Sequence, residues 1–239
     1  VPNVKRAAIP VVLAVMFASV GCQADTPTPP IQYPSTRPLP QASPAPAVHY
    51  QVTGSGNWTY ALAGGDIAGH SGRLMKYRIA VEEDSTGVDP TEIAGEIRTI
   101  LGDPRGWTAG GDWRFQQVGA DEPVDFTIYL ATPATRDELC GGPPDGYTSC
   151  RNGASVVLNV ARWVDGVPDY GAPLSTYREY MVTYKTGHRL GHRHEHCPGP
   201  GQSAPVMQQQ TLGLRGCLPN PWPYPNSQRD AGPPGEYND

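Results

Sequence analysis

Apolar and polar positions alternate most clearly in "LMKYRIAVE", which places Met75, Tyr77, Ile79 and Val81 on one face and predicts a strand. "PVDFTIYLA" repeats the pattern with Val124, Phe126, Ile128 and Leu130, and the more continuous apolar run "GASVVLNVARW" predicts a third strand. Two segments change period. In "VDPTEIAGEIRTIL" the apolar residues Ile93, Ile97 and Ile100 recur at helical spacing, Asp89 is placed to cap, and Pro90 suits the first helical position. In "PLSTYREYMVTYKTGHRLGH" Leu174, Tyr177, Met181, Tyr184, His188 and Gly191 form one continuous face, with Thr176 and Glu179 as a capping box. Tyr184 and His188 should therefore project from the same buried side.

Outside these elements the chain divides by composition. "VPNVKR" followed by the apolar "AAIPVVLAVMFASV" and Gly21-Cys22 has the form of an export signal, and the small residue before Cys22 resembles a bacterial lipoprotein signal with Cys22 as the lipidated residue. An ordinary cleaved signal peptide is the alternative. The Pro-, Ser- and Thr-rich residues 23–48 predict an extended linker. Residues 49–224 form the folded domain in this reading, after residues 1–22 as signal, and residues 225–239 form a disordered tail. The expected location is extracytoplasmic, as a cell-envelope lipoprotein or a secreted protein. The five cysteines fit such a compartment: with Cys22 assigned to lipid, Cys140, Cys150, Cys197 and Cys217 remain for two disulfides. Cys140–Cys150 and Cys197–Cys217 are the simplest of the three connectivities; a zinc site built on Cys197, Cys217 and nearby histidines is a further alternative. The net charge of −5 gives no electrostatic ground for a nucleic-acid partner.

The chemistry concentrates in "YKTGHRLGHRHEHC", which holds His188, His192, His194 and His196 out of six histidines in all. A catalytic zinc site needs about three protein ligands and an open water position. Two histidines one helical turn apart, a Glu beside the first, a Gly that ends the helix and a third His satisfy that need, with a Met-containing turn further on. His188, Gly191 and His194 occupy the second-His, Gly and third-His positions, and Met207 in "SAPVMQQQTLG" is placed for the Met-turn. The first-His position holds Tyr184 and the general-base position holds Lys185.

"DPRGWTAGG", "SCRNG", "VVLNVARW", "GHRLGHRHEHCPGPG", "APVMQQQTLGL" and "CLPNPWPY" together resemble a family of actinobacterial secreted proteins with a metzincin-like zinc motif. The resemblance covers roughly residues 49 to 224. It implies an α+β, metzincin-like zincin domain: a mixed sheet packed on helices, with the active-site helix ending at a Gly turn. It also implies a metallopeptidase scaffold whose members carry His-Glu where this chain has Tyr184-Lys185. A positioned general base contributes about 10²–10⁴-fold in rate, and a protonated lysine about 5 Å from a dication is repelled by several kcal/mol at an effective dielectric near 20. The expected function is a lipid-anchored pseudoenzyme that binds a peptide or cell-envelope component. The alternatives are an active zinc metallopeptidase with replacement ligands and base, and a metal-binding lipoprotein without catalysis. The zinc ligands offered are His188 and His194, with Tyr184 or His192 as the third; His196 is a further replacement. Contact with a membrane is expected only through the lipid anchor, and nothing in the sequence sets an oligomeric state.

Overall fold

The alternating run around Tyr77 forms the central strand of a mixed sheet. The computed structural model describes residues 49–236, so the signal segment, Cys22 and the Pro-rich linker lie outside the described residues. In chain order the elements are β1 (His49–Tyr50), β2 (Trp58–Tyr60), β3 (Gly64–Ala68), β4 (Arg73–Glu82), β5 (Ser85–Thr86), α1 (Pro90–Gly102), β6 (Trp113–Gln117), β7 (Phe126–Ala131), α2 (Pro133–Cys140), β8 (Cys150–Asn152), β9 (Ser155–Asn159), α3 (Val160–Asp165) and α4 (Leu174–Leu190). Single 3₁₀ turns lie at Trp107–Gly110 and Gln210–Leu212.

Seven strands form the main sheet in the order β3-β6-β4-β7-β9-β8, with β2 pairing to β4 beyond the end of β6. The β6, β4, β7 and β9 strands run parallel, while β3 and β8 close the two edges antiparallel. The predicted inward set Met75, Tyr77, Ile79 and Val81 is buried, as the period-2 alternation of a strand requires. Ile93, Ile97 and Ile100 of α1 are buried too, and α1 packs on the sheet and on α4. The Asp89 carboxylate accepts from the Thr91 amide at 2.7 Å, which is the expected cap.

Two boundaries differ from the pattern. "GASVVLNVARW" is not one strand: it ends at Asn159, whose side chain accepts from the Ala161 amide at 3.0 Å and opens α3. An apolar run alone does not separate a buried strand from a buried helix. The Thr176–Glu179 capping box does not form, because α4 starts earlier, at Leu174, with Pro173 in the cap position. Proline's fixed φ suits that entry. The stretch read as a disordered tail carries defined contacts up to Glu236, where its backbone runs against the histidine-rich loop.

The C-terminal half of α4 is buried from Tyr180 to Gly187. The rings of Tyr170, Tyr177, Tyr180 and Tyr184 follow one another at centroid distances of 5.0, 5.9 and 5.2 Å, and Tyr180 and Tyr184 are stacked. Such contacts add to area burial by about 0.5–1.5 kcal/mol per pair. This column anchors the helix that carries the site.

Candidate functional site

The end of α4 sets the geometry. Gly191 has φ +101°, the left-handed region that favours glycine. The His192 amide donates to the Gly187 carbonyl at 3.0 Å and the Gly191 amide to the His188 carbonyl at 3.2 Å. These two bonds are the Schellman closure, which reverses the chain and brings His194 back over the helix. The imidazoles of His188 and His194 lie 4.8 Å apart, centroid to centroid, nearly perpendicular to each other. The Tyr184 ring is 4.6 Å from His188 and 6.1 Å from His194.

Behind this trio the packing is close. A Cβ at Gly187 would lie 2.6 Å from the Met207 sulfur and 2.7 Å from the Trp107 ring, so glycine lets both side chains reach the helix backbone. Met207 is fully buried, and the Trp107 indole N–H donates to the Thr183 carbonyl at 2.8 Å. The residues after Met207 hold this turn in place. The Gln210 amide group donates to the carbonyls of Pro205 and Asn220, and its oxygen accepts from the Tyr170 hydroxyl at 3.0 Å.

Tyr184, Lys185, His188 and His194 line one cleft of about 310 Å³ with Arg136, Thr148, Ser149, Arg151, Gln209 and Thr211. Its opposite wall is the segment bracketed by the Cys140–Cys150 disulfide, and Cys197–Cys217 closes the second predicted pair. Arg136 ties α2 to that wall, with ion pairs to Asp137 at 2.5 Å and Asp145 at 2.7 Å and a bond to the Thr148 hydroxyl at 2.9 Å. Arg136 and Arg151 carry no motif of their own. The sequence signal that could have found Arg151 is its place next to a disulfide cysteine.

The electrostatics of the cleft centre on Lys185. Its side chain is only 9% exposed, and its ammonium rests 4.2 Å from the centroid of the Tyr184 ring. Burial, reinforced by the charge of Arg136, pushes its pKa down to about 7. Burial and then the charge of Lys185 push His188 down to about 3, so His188 is neutral at physiological pH. His188 Nδ1 donates to the His192 carbonyl at 2.9 Å, and His194 Nδ1 meets the Glu236 carboxylate at 2.9 Å.

Of the two residues offered for a third ligand, the structure brings Tyr184 into the cleft and not His192. The His192 ring stacks on Trp107 at 4.1 Å instead. His196 packs against Gly235, away from the cleft lining. Among the described residues no three His, Cys, Asp or Glu side chains come together as a metal-binding set. Two imidazoles with Nδ1 held by acceptors suit a metal; the third place beside them holds the Tyr184 phenol, and Lys185 shares the cleft.

The family model described as "Protein of unknown function (DUF3152)" matches residues 45–225. The chain belongs to this family. No curated protein and no solved structure matches the chain significantly. The match spans every residue that lines the cleft, from Arg136 to Leu212. Two disulfides are consistent with an extracytoplasmic protein. Among the described residues no helix is long and apolar enough to cross a membrane.

Proposed function

We propose that the cleft is a zinc-peptidase-like groove that holds an extended peptide of the cell envelope without cutting it, on a metzincin-like domain carried outside the cytoplasm by a lipid anchor at Cys22. The observation that carries this reading is Lys185. It stands beside Tyr184 where a hydrolase of this design needs a carboxylate, and it is buried in the cleft rather than turned to solvent. A lysine there supplies no general base while protonated, and its charge opposes a dication. The terminal strand of the sheet, β8, forms one wall of the same cleft, and an edge strand can take up an extended segment by main-chain hydrogen bonds.

A second reading, metal binding without hydrolysis, draws on the anchored Nδ1 atoms of His188 and His194. Each leaves Nε2 as the nitrogen that would face an ion. Elemental analysis of untagged protein separates the two, since about one metal per chain in the wild type would favour this second reading.

Restoration tests the first reading. Tyr184→His with Lys185→Glu should yield about one zinc per chain and cleavage of unstructured peptides above the wild-type background. Tyr184→His alone should recover some zinc with little turnover. A well-folded double variant that binds no zinc would overturn the peptidase-like assignment.

A further inference from the structure

We propose that the ligand of this cleft presents a carboxylate to Lys185, which makes its class a carboxylate-bearing peptide; this deepens the peptide-groove reading and rests on it. The two buried cations of the cleft are treated differently by the fold. Arg136, 5% exposed, has carboxylates from both Asp137 and Asp145 and a hydroxyl from Thr148. Lys185 is nearly as buried, yet among the described residues no carboxylate, carbonyl or hydroxyl accepts a hydrogen bond from its ammonium. The π face of Tyr184 is its close neighbour. The small exposure of Lys185 opens on the cleft, so its ammonium is poorly solvated and has no protein acceptor among the described residues; an incoming anion offsets that cost while forming a charge-assisted bond.

The surroundings favour the same sign of ligand. Arg151 stands on β8 at the rim of the cleft, and no ion pair engages it among the described residues. The acidic groups nearby are already engaged: Asp137 and Asp145 by Arg136, and Glu236 at the Nδ1 side of His194. A peptide lying along β8 would pass Arg151 and could direct one carboxylate inward to Lys185. That carboxylate belongs either to a Glu or Asp side chain or to the peptide's C-terminus, and the chemistry at Lys185 is the same.

The test uses the full chain and two pools of blocked hexapeptides, identical except that one carries Glu wherever the other carries Gln, with an unblocked Gln pool and glutarate as further arms. Calorimetric titration should show the Glu pool binding roughly 10- to 100-fold more tightly than the blocked Gln pool. Preference for the unblocked Gln pool over the blocked one would assign the carboxylate to the C-terminus. Lys185→Met should abolish the preference and Lys185→Arg should retain much of it. Equal binding of the blocked pools, with no gain on unblocking, overturns the carboxylate inference and leaves the peptide groove standing. Glutarate binding that is lost in Lys185→Met, with no pool bound, supports the carboxylate site and overturns the peptide reading. No binding of any probe overturns the inference. The wild-type comparison of pools decides the question even if Lys185→Met fails to fold.

Discussion

Lys185 is a residue whose place in the fold opposes its own charge. Its folded pKa lies near 7 and its unfolded value near 10.5. Between those limits the unfolded chain holds a proton that the folded chain has released, so stability rises with pH across that window. Below pH 7 the full cost of burying the charge is present. His188 behaves alike at lower pH: with its pKa moved from 6.5 to about 3, it costs stability fully below pH 3 and ceases to do so as pH rises to 6.5. Lys185→Met should remove the upper window. Urea unfolding at pH 6 and pH 9 should show wild type gaining about 2.7 kcal/mol more than the variant over that interval, since the gain runs over the two units from pH 7 to pH 9 and each is worth about 1.4 kcal/mol. Carboxylates titrate below this interval, and histidines that titrate within it are common to both proteins, so the difference between the two isolates the lysine. A parallel gain in both proteins would show that Lys185 is not held in an unfavourable site.

At the scale of elements, α4 depends on a glycine that helix propensity disfavours. Alanine is better than glycine in a helix interior by about 1 kcal/mol. At Gly95 in α1 nothing lies within 4 Å of an added Cβ, so Gly95→Ala should stabilise by about 0.5–1 kcal/mol. At Gly187 the Met207 sulfur and the Trp107 ring stand in the way, so Gly187→Ala should instead cost about 1–3 kcal/mol. Thermal unfolding of the pair should give shifts of opposite sign; two stabilising shifts would mean that Met207 and Trp107 do not clamp the helix. The same elements show what the sequence made legible. The periods of β4 and α1 and the cap at Asp89 could be read because each is set by side chains close in sequence. So could the approach of Tyr184, His188 and His194, which needs only a helical turn and a glycine reversal. The start of α3 inside "VVLNVARW" could not, because an Asn side chain bonding two residues ahead decides it. The cationic wall could not either, because Arg136 and Arg151 reach the cleft through α2, a disulfide and the sheet edge, separated from α4 by tens of residues.

Across the whole molecule, the residues after 225 are the clearest case of structure without a hydrophobic signal. "NSQRDAGPPGEYND" has neither apolar period nor helix former, and by composition reads as a tail. Its attachment is polar and mostly main-chain. Arg229 pairs with Glu195 at 2.6 Å, the His196 amide donates to the Pro233 carbonyl at 2.7 Å, and the Gly235 amide donates to the His194 carbonyl at 3.2 Å. Glu236 then reaches His194 Nδ1. Gly235 lies so close to the His196 ring that a Cβ would overlap it. The segment thus steadies the loop that returns His194 to the cleft, while the sheet and the tyrosine column lie elsewhere and do not depend on it. Removing residues 229–239 should therefore leave the fold intact and cost about 1–3 kcal/mol, mainly from the lost Arg229–Glu195 pair and main-chain bonds. Amide exchange should rise at least about tenfold at Glu195 and His196, whose main-chain or ion-pair partners leave, and stay unchanged along β4 and β7. Gly235→Ala, which keeps the length but forces the segment off His196, should produce a smaller rise at the same two residues. Unchanged protection there in the truncated chain would show that the loop holds His194 in place by itself.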